Sequence, residues 1–431
     1  MLPPFGFRIK VPLVSCIFCS LAFLLHPELV AKSGDATTPS SPTPVTDHRD
    51  LASKEAKTSE IVKGLDAPWG LVWLPDGDIL VTERFGSLRL IKDGKLVAEP
   101  ISGVPQVYAA GQGGLLDVSL HPNFKDNRFV YLSYSDGNEE GNRLRVVRAK
   151  LDGMSLQNPE IIFEVAQTKT GGNHYGSRFQ WLPDGTLLIS SGDGGNPPIE
   201  YGGKLIREQA QYLTSHLGKV IRINDDGSIP EDNPFAGRPD VQPEIWSYGH
   251  RNIQGIAYDP VNKRLFASEH GSKGGDELNL LLAGANYGWP LATHSTEYNA
   301  AGTPISPNRS IPDAEDPIAV WTPSIAPSGM VYYSGDKYGD WKGDLFLAAM
   351  ILRSDETIQA YRSRPAGSVI RIETDTNGKV TGQELINVGE VRVRDIEQGP
   401  NGFLYALVDT ISRQRSAGKF AGKLIRIEPR E

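Results

Sequence analysis

The stretch Gln180-Trp181-Leu182-Pro183-Asp184-Gly185-Thr186-Leu187-Leu188-Ile189-Ser190-Ser191 decides the fold. Pro-Asp-Gly sets a tight turn, because proline fixes φ and glycine accepts φ > 0. The apolar residues on either side read as the two arms of a strand hairpin. The same design recurs at 72–83 around a second Leu-Pro-Asp-Gly, at 118–133 around His-Pro-Asn-Phe, and at 257–268, 331–348 and 397–408. A second strand pair follows each copy, at 86–97, 142–156, 217–230, 276–288, 367–382 and 422–431. Two hairpins repeated six times make six four-stranded sheets, and sheets repeated around an axis form a propeller that shields most strand edges. The expected fold class is therefore all-β: a six-bladed β-propeller of four-stranded antiparallel sheets. A two-domain sandwich is the alternative, but it does not account for the alternation of two hairpin types. The final copy stops at Glu431, so the strand near Ile61-Val62 is expected to complete the last sheet.

Composition agrees with many short strands and turns. The 431 residues include 46 glycines and 31 prolines, and long amphipathic helix patterns are scarce. A formal charge of −8 argues against nucleic acid or an anionic membrane surface as the main partner. Residues 1–31 read as a secretion signal: Arg8 and Lys10 precede an apolar run from 11 to 25, and Leu29-Val30-Ala31 offers a cleavage site. That run is short for a membrane span, which needs about twenty apolar residues. Leu13-Val14-Ser15-Cys16 weakly resembles a lipoprotein cleavage box, but it follows Lys10 too closely to leave an apolar region. A periplasmic or secreted protein is expected. Both cysteines, Cys16 and Cys19, fall inside the signal, so thiol catalysis, cysteine metal sites and disulfides are excluded from the mature chain. Residues 32–58, rich in Ser, Thr and Pro, read as a disordered tether, and 59–431 as a single catalytic domain.

Chemistry concentrates in polar, glycine-rich breaks at equivalent hairpin positions. Gly111-Gln112-Gly113-Gly114 precedes the second inner hairpin, Gly172-Asn173-His174 precedes the third, and Asp193 ends its second strand. Gly249-His250-Arg251-Asn252 precedes the fourth, which ends at Glu269-His270-Gly271, and Arg392-Val393-Arg394 precedes the sixth. These loops should gather on one face, bringing together Gln112, His174, Asp193, Arg251, Asn252, Arg392 and Arg394. An imidazole with a positioned carboxylate can take a proton from an alcohol. Any one of these arginines alone reads as a surface charge. Three of them with two amides make a receptor for a flat, multiply carboxylated ligand, since guanidinium forks pair with carboxylates and stack on planar groups. No nicotinamide fingerprint is present, because the glycine pairs lie in all-β surroundings.

Seven ordered motifs carry a resemblance over most of the chain. They are APWGLVWLPDG (67–77), GQGGLLDVSLHPNF (111–124), GGNHYGSR (171–178), SYGHRN (247–252), EHGSKGGDELN (269–279), NYGWP (286–290) and RVRDIEQGPNG (392–402). Together they resemble the soluble quinoprotein glucose/sorbosone dehydrogenases, especially the bacterial aldose sugar dehydrogenases that use pyrroloquinoline quinone (PQQ). The resemblance implies oxidation of the aldose C1 hydroxyl to a lactone, with His174 as base, Asp193 as its support and hydride passing to PQQ. It implies that Gln112, Arg251, Asn252, Tyr298, Arg392 and Arg394 hold PQQ, with Arg251 reaching the quinone oxygens. It further implies Ca²⁺ held against PQQ by the carbonyls of Gly271 and Ser272, and a second ion held by Glu277 and the carbonyl of Tyr287. Such a loop supplies the oxygen ligands that Ca²⁺ prefers. One position departs from the family pattern: Ile351 stands where a PQQ-binding lysine is common, and Arg353 is a substitute two residues on. The substrate partner is a small aldose; the electron acceptor, a quinone or cytochrome, is left open. Two rivals from other classes remain at this level: a Ca²⁺-dependent propeller lactonase, and a non-catalytic sugar- or protein-binding propeller.

Overall fold

The computed structural model describes residues 43–195, 199–351, 368–389, 391–409 and 421–429. Runs of four antiparallel strands follow one another along the chain. The first is Pro68–Trp73, Ile79–Glu83, Ser87–Lys92 and Lys95–Leu96; the second is Leu115–Leu120, Phe129–Gly137, Asn142–Asp152 and Ser155–Glu164. The third is Phe179–Trp181, Leu187–Ser191, Lys219–Ile223 and Ile245–Tyr248. The fourth, Ile253–Asp259, Arg264–Glu269, Asp276–Leu281 and Ala319–Trp321, gains Val45–Thr46 as a parallel edge strand. Glu200–Tyr201 and Lys204–Leu205 form a separate two-stranded sheet, and the other strands form one eight-stranded sheet, in which Ser53–Leu65 joins Pro327–Tyr332, Leu345–Ala349, Ser368–Thr374 and Val380–Asn387 to Gly422–Pro429, Leu404–Asp409 and Arg392–Gln398. The fold is all-β and propeller-like.

The quoted hairpin forms for the reasons its sequence suggests. Gly185 has φ +85°, its amide donates to the Leu182 carbonyl at 3.0 Å, and Asp184 accepts from the Thr186 amide at 2.9 Å. All five residues of Leu187–Ser191 are buried, as expected of a strand with a neighbouring sheet on each face. The core lies between successive sheets. Leu187, Ile189 and Ile221 pack against Tyr131, Leu144 and Val146, while Leu188 and Val220 pack the other way against Ile256 and Leu265.

Two expectations need correction. The last two runs are fused, because Ser53–Leu65 pairs antiparallel with Gly422–Pro429 and, through Ser53–Glu55, parallel with Leu385–Asn387. The tether expected over 32–58 does not hold from residue 43 onward, where Val45–Thr46 and Ser53–Leu65 are strands. Ser53–Leu65 is mostly exposed along its length, so it carries no apolar alternation to betray it; backbone pairing to a sheet edge suffices. The expected signal, 1–31, lies outside the described residues.

The first strand of each run lines the axis. Pro68–Trp73 lies beside Leu115–Leu120, then follow Phe179–Trp181, Ile253–Asp259, Pro327–Tyr332 and Arg392–Gln398, which returns to Pro68–Trp73. A buried charge cluster cinches this ring. Arg178 meets Asp117 at 3.2 Å and Asp395 at 3.0 Å and donates to the Gln254 carbonyl at 2.9 Å. Asp117 accepts from the Phe179 amide and Asp395 from the Leu71 amide. Five of the inner strands thus meet at one point, and the loops at one end of it are held in register.

Candidate active site

His174 stands in a loop whose backbone turns at φ +52°. Its Nδ1 lies 2.6 Å from Asp193 Oδ1, and its amide donates to Gln112 Oε1 at 3.0 Å. Asp193 Oδ1 also accepts from the Gly195 amide at 3.2 Å, and Oδ2 accepts from Trp289 Nε1 at 2.9 Å. The His174 and Asp193 loops touch at Gly192, where a Cβ would stand 2.3 Å from the His174 carbonyl oxygen. Both side chains are buried, His174 at 4% exposure and Asp193 at 0%. Burial, then the charge of Arg251, pushes the His174 imidazole below its ordinary value, against the pull of Asp193. Burial would raise Asp193, but the charge and hydrogen bond of His174, with Arg251, hold its carboxyl low.

Arg251 is fixed from two sides. Its amide donates to Glu269 Oε2 at 2.6 Å, and its guanidinium donates to the His270 carbonyl at 3.0 Å, 5.3 Å from the Trp289 ring centre. Its carbonyl accepts from the Asp193 amide at 2.8 Å. Asn252 Oδ1 accepts from Gly176 at 3.0 Å, while its buried Nδ2 finds no partner. His250 is structural: it bonds Glu269 and Ser247 and stacks on Tyr287 at 4.5 Å.

These groups surround an open-mouthed hollow of about 730 Å³ including its mouth. Gln112, Arg392 and Arg394 line it directly. His174, Arg251 and Asn252 stand one hydrogen bond behind the lining, through Gln112, His270 and Gly176 respectively. Arg394 lies 3.9 Å over the Trp69 ring, donates to Gln254, and leaves buried Nη1 without a partner. Burial pushes Arg394 down to about 9, helped by Arg178, and Arg392 down to about 10, with Asp409 opposing and Arg84 helping. Crowded, desolvated guanidiniums of this kind are a receptor for a planar polyanion.

The hollow also contains residues that the sequence reading missed: Trp69, Arg84, Tyr175, Gln254, His270 and Met350. Arg84 had a positional signal, since it follows the second strand of the first hairpin as Asp193 follows that of the third. Its guanidinium donates to the Gly111 and Gly113 carbonyls, and its buried Nε has no partner. Arg84 thus places a further cation beside the hollow that lacks a lysine at Ile351. Arg353 lies outside the described residues.

The expected metal ligands fall nearby but not all together. A second, smaller hollow of about 220 Å³ is lined by Arg251, Glu269, Gly271 and Glu277 among others. Glu277 faces Glu269 across two paired strands. Burial, then Glu269, pushes its carboxyl well above the usual range, so a cation there would relieve both costs. Ser272 and Tyr287 do not line this hollow. The Ser272 carbonyl accepts from Tyr298 at 2.7 Å, and Tyr298 is 46% exposed. The Tyr287 hydroxyl donates to the Leu280 carbonyl at 2.7 Å. Among the described residues no group of three or more His, Cys, Asp or Glu side chains is placed to hold a metal, so a cation here would depend on carbonyl oxygens.

Comparison with known proteins follows the same lines. An uncharacterized protein of Synechocystis sp. is 47% identical over 99% of this chain and 100% of its own. The aldose sugar dehydrogenase of Escherichia coli (strain K12) is 38% identical over 85% of this chain and 91% of its own. The apo-form crystal structure of the soluble E. coli aldose sugar dehydrogenase superposes with TM-score 0.75 at 35% identity, covering 87% of this chain and 100% of that one. The PQQ-bound aldose sugar dehydrogenase of Streptomyces coelicolor gives TM-score 0.65 at 26% identity, covering 88% and 99%. The Glucose / Sorbosone dehydrogenase family model matches residues 65–419, and with the E. coli relative it makes the chain a member of that oxidoreductase family.

Proposed function

We propose that this protein oxidises the C1 hydroxyl of aldose sugars to lactones with PQQ as cofactor. The observation that carries this reading is the 2.6 Å His174–Asp193 contact, one residue behind a hollow lined by Arg392 and Arg394. PQQ, when bound, supplies the two-electron acceptor. Gln112, Arg392 and Arg394 line the hollow and, with Arg251, Asn252 and Tyr298, would hold it; the unpartnered Asn252 Nδ2 and Arg394 Nη1, donors in want of an acceptor, support that fit. Gly271 and Ser272 would hold Ca²⁺ beside it, and Glu277 with the Tyr287 carbonyl a second ion.

The chain's own residues divide the remaining work. Asp193 accepts from Nδ1, which fixes the imidazole tautomer and leaves Nε2 with the lone pair that takes the C1 hydroxyl proton. The carboxylate then stabilises the imidazolium, while Trp289 and Gly195 keep it aimed. Arg251, anchored by Glu269, is the positive group for charge developing on the acceptor. The same reading counts six blades, dividing the eight-stranded sheet where Ser53–Leu65 bridges it; the ring of inner strands supports that count. Export to the periplasm or exterior is read from residues 1–31; among the described residues no helix is long and apolar enough to cross a membrane.

The test is reconstitution. Purified apoprotein given PQQ and Ca²⁺ is expected to reduce an artificial electron-accepting dye with aldoses. Sugar binding without dye reduction, or acid release from lactones without it, would reject the oxidation.

A further inference from the structure

Lys169 is a buried cation that none of the roles above employs. It is 4% exposed, and its backbone pairs with Asn142 through two hydrogen bonds of 2.9 Å. Its Nζ donates to the Gly171 carbonyl at 3.0 Å and to Asn142 Oδ1 at 3.2 Å, both neutral oxygens. The ammonium sits 4.1 Å from the ring centre of Tyr175, the residue after His174, and the Tyr175 hydroxyl donates to the same Asn142 Oδ1 at 2.6 Å. Its aliphatic stem packs beside Gly194, where a Cβ would lie 3.3 Å from Lys169 Cδ. Gly171 belongs to the loop of His174 and Gly194 to the loop of Asp193. One side chain therefore braces both halves of the proton-abstracting pair.

We propose that Lys169 is a positioning residue for the sugar oxidation: it props the His174 loop against the Asp193 loop and sets a positive charge near the imidazole, keeping His174 neutral and so free to accept a proton. The proposal rests on the reading of His174 as base. Lysine suits this place better than an uncharged residue would. A long apolar stem reaches past Gly194 beside Ile206, and a multiple donor gathers Gly171 and Asn142. Burial without a paired carboxylate is the electrostatic cost of that arrangement. Burial pushes the ammonium down to about 7, with Asp193 opposing. The groups whose charge reaches His174 are Arg251 and Lys169, both disfavouring its protonation, and Asp193, which favours it. His270, pushed down to about 3 by burial and then by Arg251, stays neutral and adds no charge. Of the two cations, Arg251 is held by the His270 carbonyl, and Lys169 by the Gly171 carbonyl of the His174 loop itself.

The experiment titrates the imidazole resonance of His174 by NMR in the apoprotein, assigned with His174→Gln, and measures kcat/KM against pH in the PQQ-loaded enzyme. Lys169→Met is expected to raise the His174 midpoint by about one pH unit and to move the acid limb of kcat/KM upward equally. Lys169→Arg should return both toward wild type. If the methionine variant does not fold, Lys169→Gln compared with Lys169→Arg gives the same contrast. An unmoved midpoint in the neutral variants, or equal loss of activity in the neutral and arginine variants with an unshifted limb, overturns the proposal. The two readings fail separately: normal turnover in His174→Gln removes the base and Lys169 with it, whereas collapse of turnover in His174→Gln with an unmoved Lys169→Met midpoint removes Lys169 alone.

Discussion

Both oxygens of Asp193 are engaged, and this sets what His174 can do. Oδ1 faces the imidazole and the Gly195 amide, and Oδ2 faces Trp289. Replacing the carboxylate with an amide keeps the shape but removes the charge that stabilises the imidazolium. Asp193→Asn is expected to lower kcat by about 10²–10⁴-fold. PQQ affinity, measured by fluorescence quenching, should stay within a few-fold of wild type. The sign of the pH effect follows from the depressed imidazole. Only neutral His174 accepts a proton, so kcat/KM falls as pH drops through its lowered value and is level from there to neutrality. An acid limb centred above 6.5, the ordinary histidine value, would contradict the assignment. Arg394 makes a different prediction. It stacks on Trp69 and has an unpartnered buried Nη1, so Arg394→Gln should weaken PQQ binding about 10–100-fold, the worth of a charge-assisted hydrogen bond. Turnover at saturating PQQ should change little, and calorimetric titration of apoprotein with PQQ separates the two effects.

Among the elements, the strand Ser53–Leu65 carries the clearest test. It pairs with Gly422–Pro429 along most of its length and buries Val62 and Leu65 against Leu71, Leu407 and Leu424. Deleting residues 59–64 removes the middle of that pairing and one of the two buried side chains. A loss of at least about 3 kcal/mol is expected, combining apolar burial with stranded backbone groups on Gly422–Pro429. Unchanged urea denaturation would show that the last sheet does not need this strand. The same element marks where sequence reading stops. The inner hairpins were legible because proline and glycine act within a few residues, as at Pro183-Asp184-Gly185. The pairing near Ile61-Val62 was legible as a missing partner, but the strand's start at Ser53 was not, because Ser-Lys-Glu-Ala-Lys-Thr-Ser has no apolar face. At the site, His174, Asp193, Arg251 and Asn252 stood out by their glycine-rich loops and motifs. Trp69 and Tyr175 did not, since an aromatic beside a strand reads as core until the channel shows which way it faces. Lys169 lacked any signal, because its partners are carbonyl and amide oxygens brought near only by the fold.

Across the whole molecule, one buried cation joins strands that are far apart in sequence. Arg178 contacts Asp117 and Asp395 and donates to the Gln254 carbonyl, while Phe179 and Leu71 donate their amides to the two carboxylates. Close approach depends on small neighbours: a Cβ on Gly70 would lie 2.7 Å from Asp117 Oδ1, and one on Gly329 would lie 1.9 Å from Asp395 Oδ1. The cluster lies between the hollow of Arg392 and Arg394 and a third hollow lined by Trp73, Trp181, Tyr258, Tyr332 and Glu397. Its contacts tie together the inner strands that carry the loops above. Arg178→Met leaves two carboxylates buried without their cation, a change expected to cost about 3–5 kcal/mol. Adding Asp395→Asn to that variant should recover part of the loss, because it removes one of the two stranded charges. Denaturation of the three variants measures both steps. PQQ affinity should fall in parallel in Arg178→Met, since Arg394 stands over the same Trp69 ring as Arg178. A loss below about 1 kcal/mol with unchanged PQQ binding would mean that the ring is held by sheet packing alone and that the cluster positions nothing.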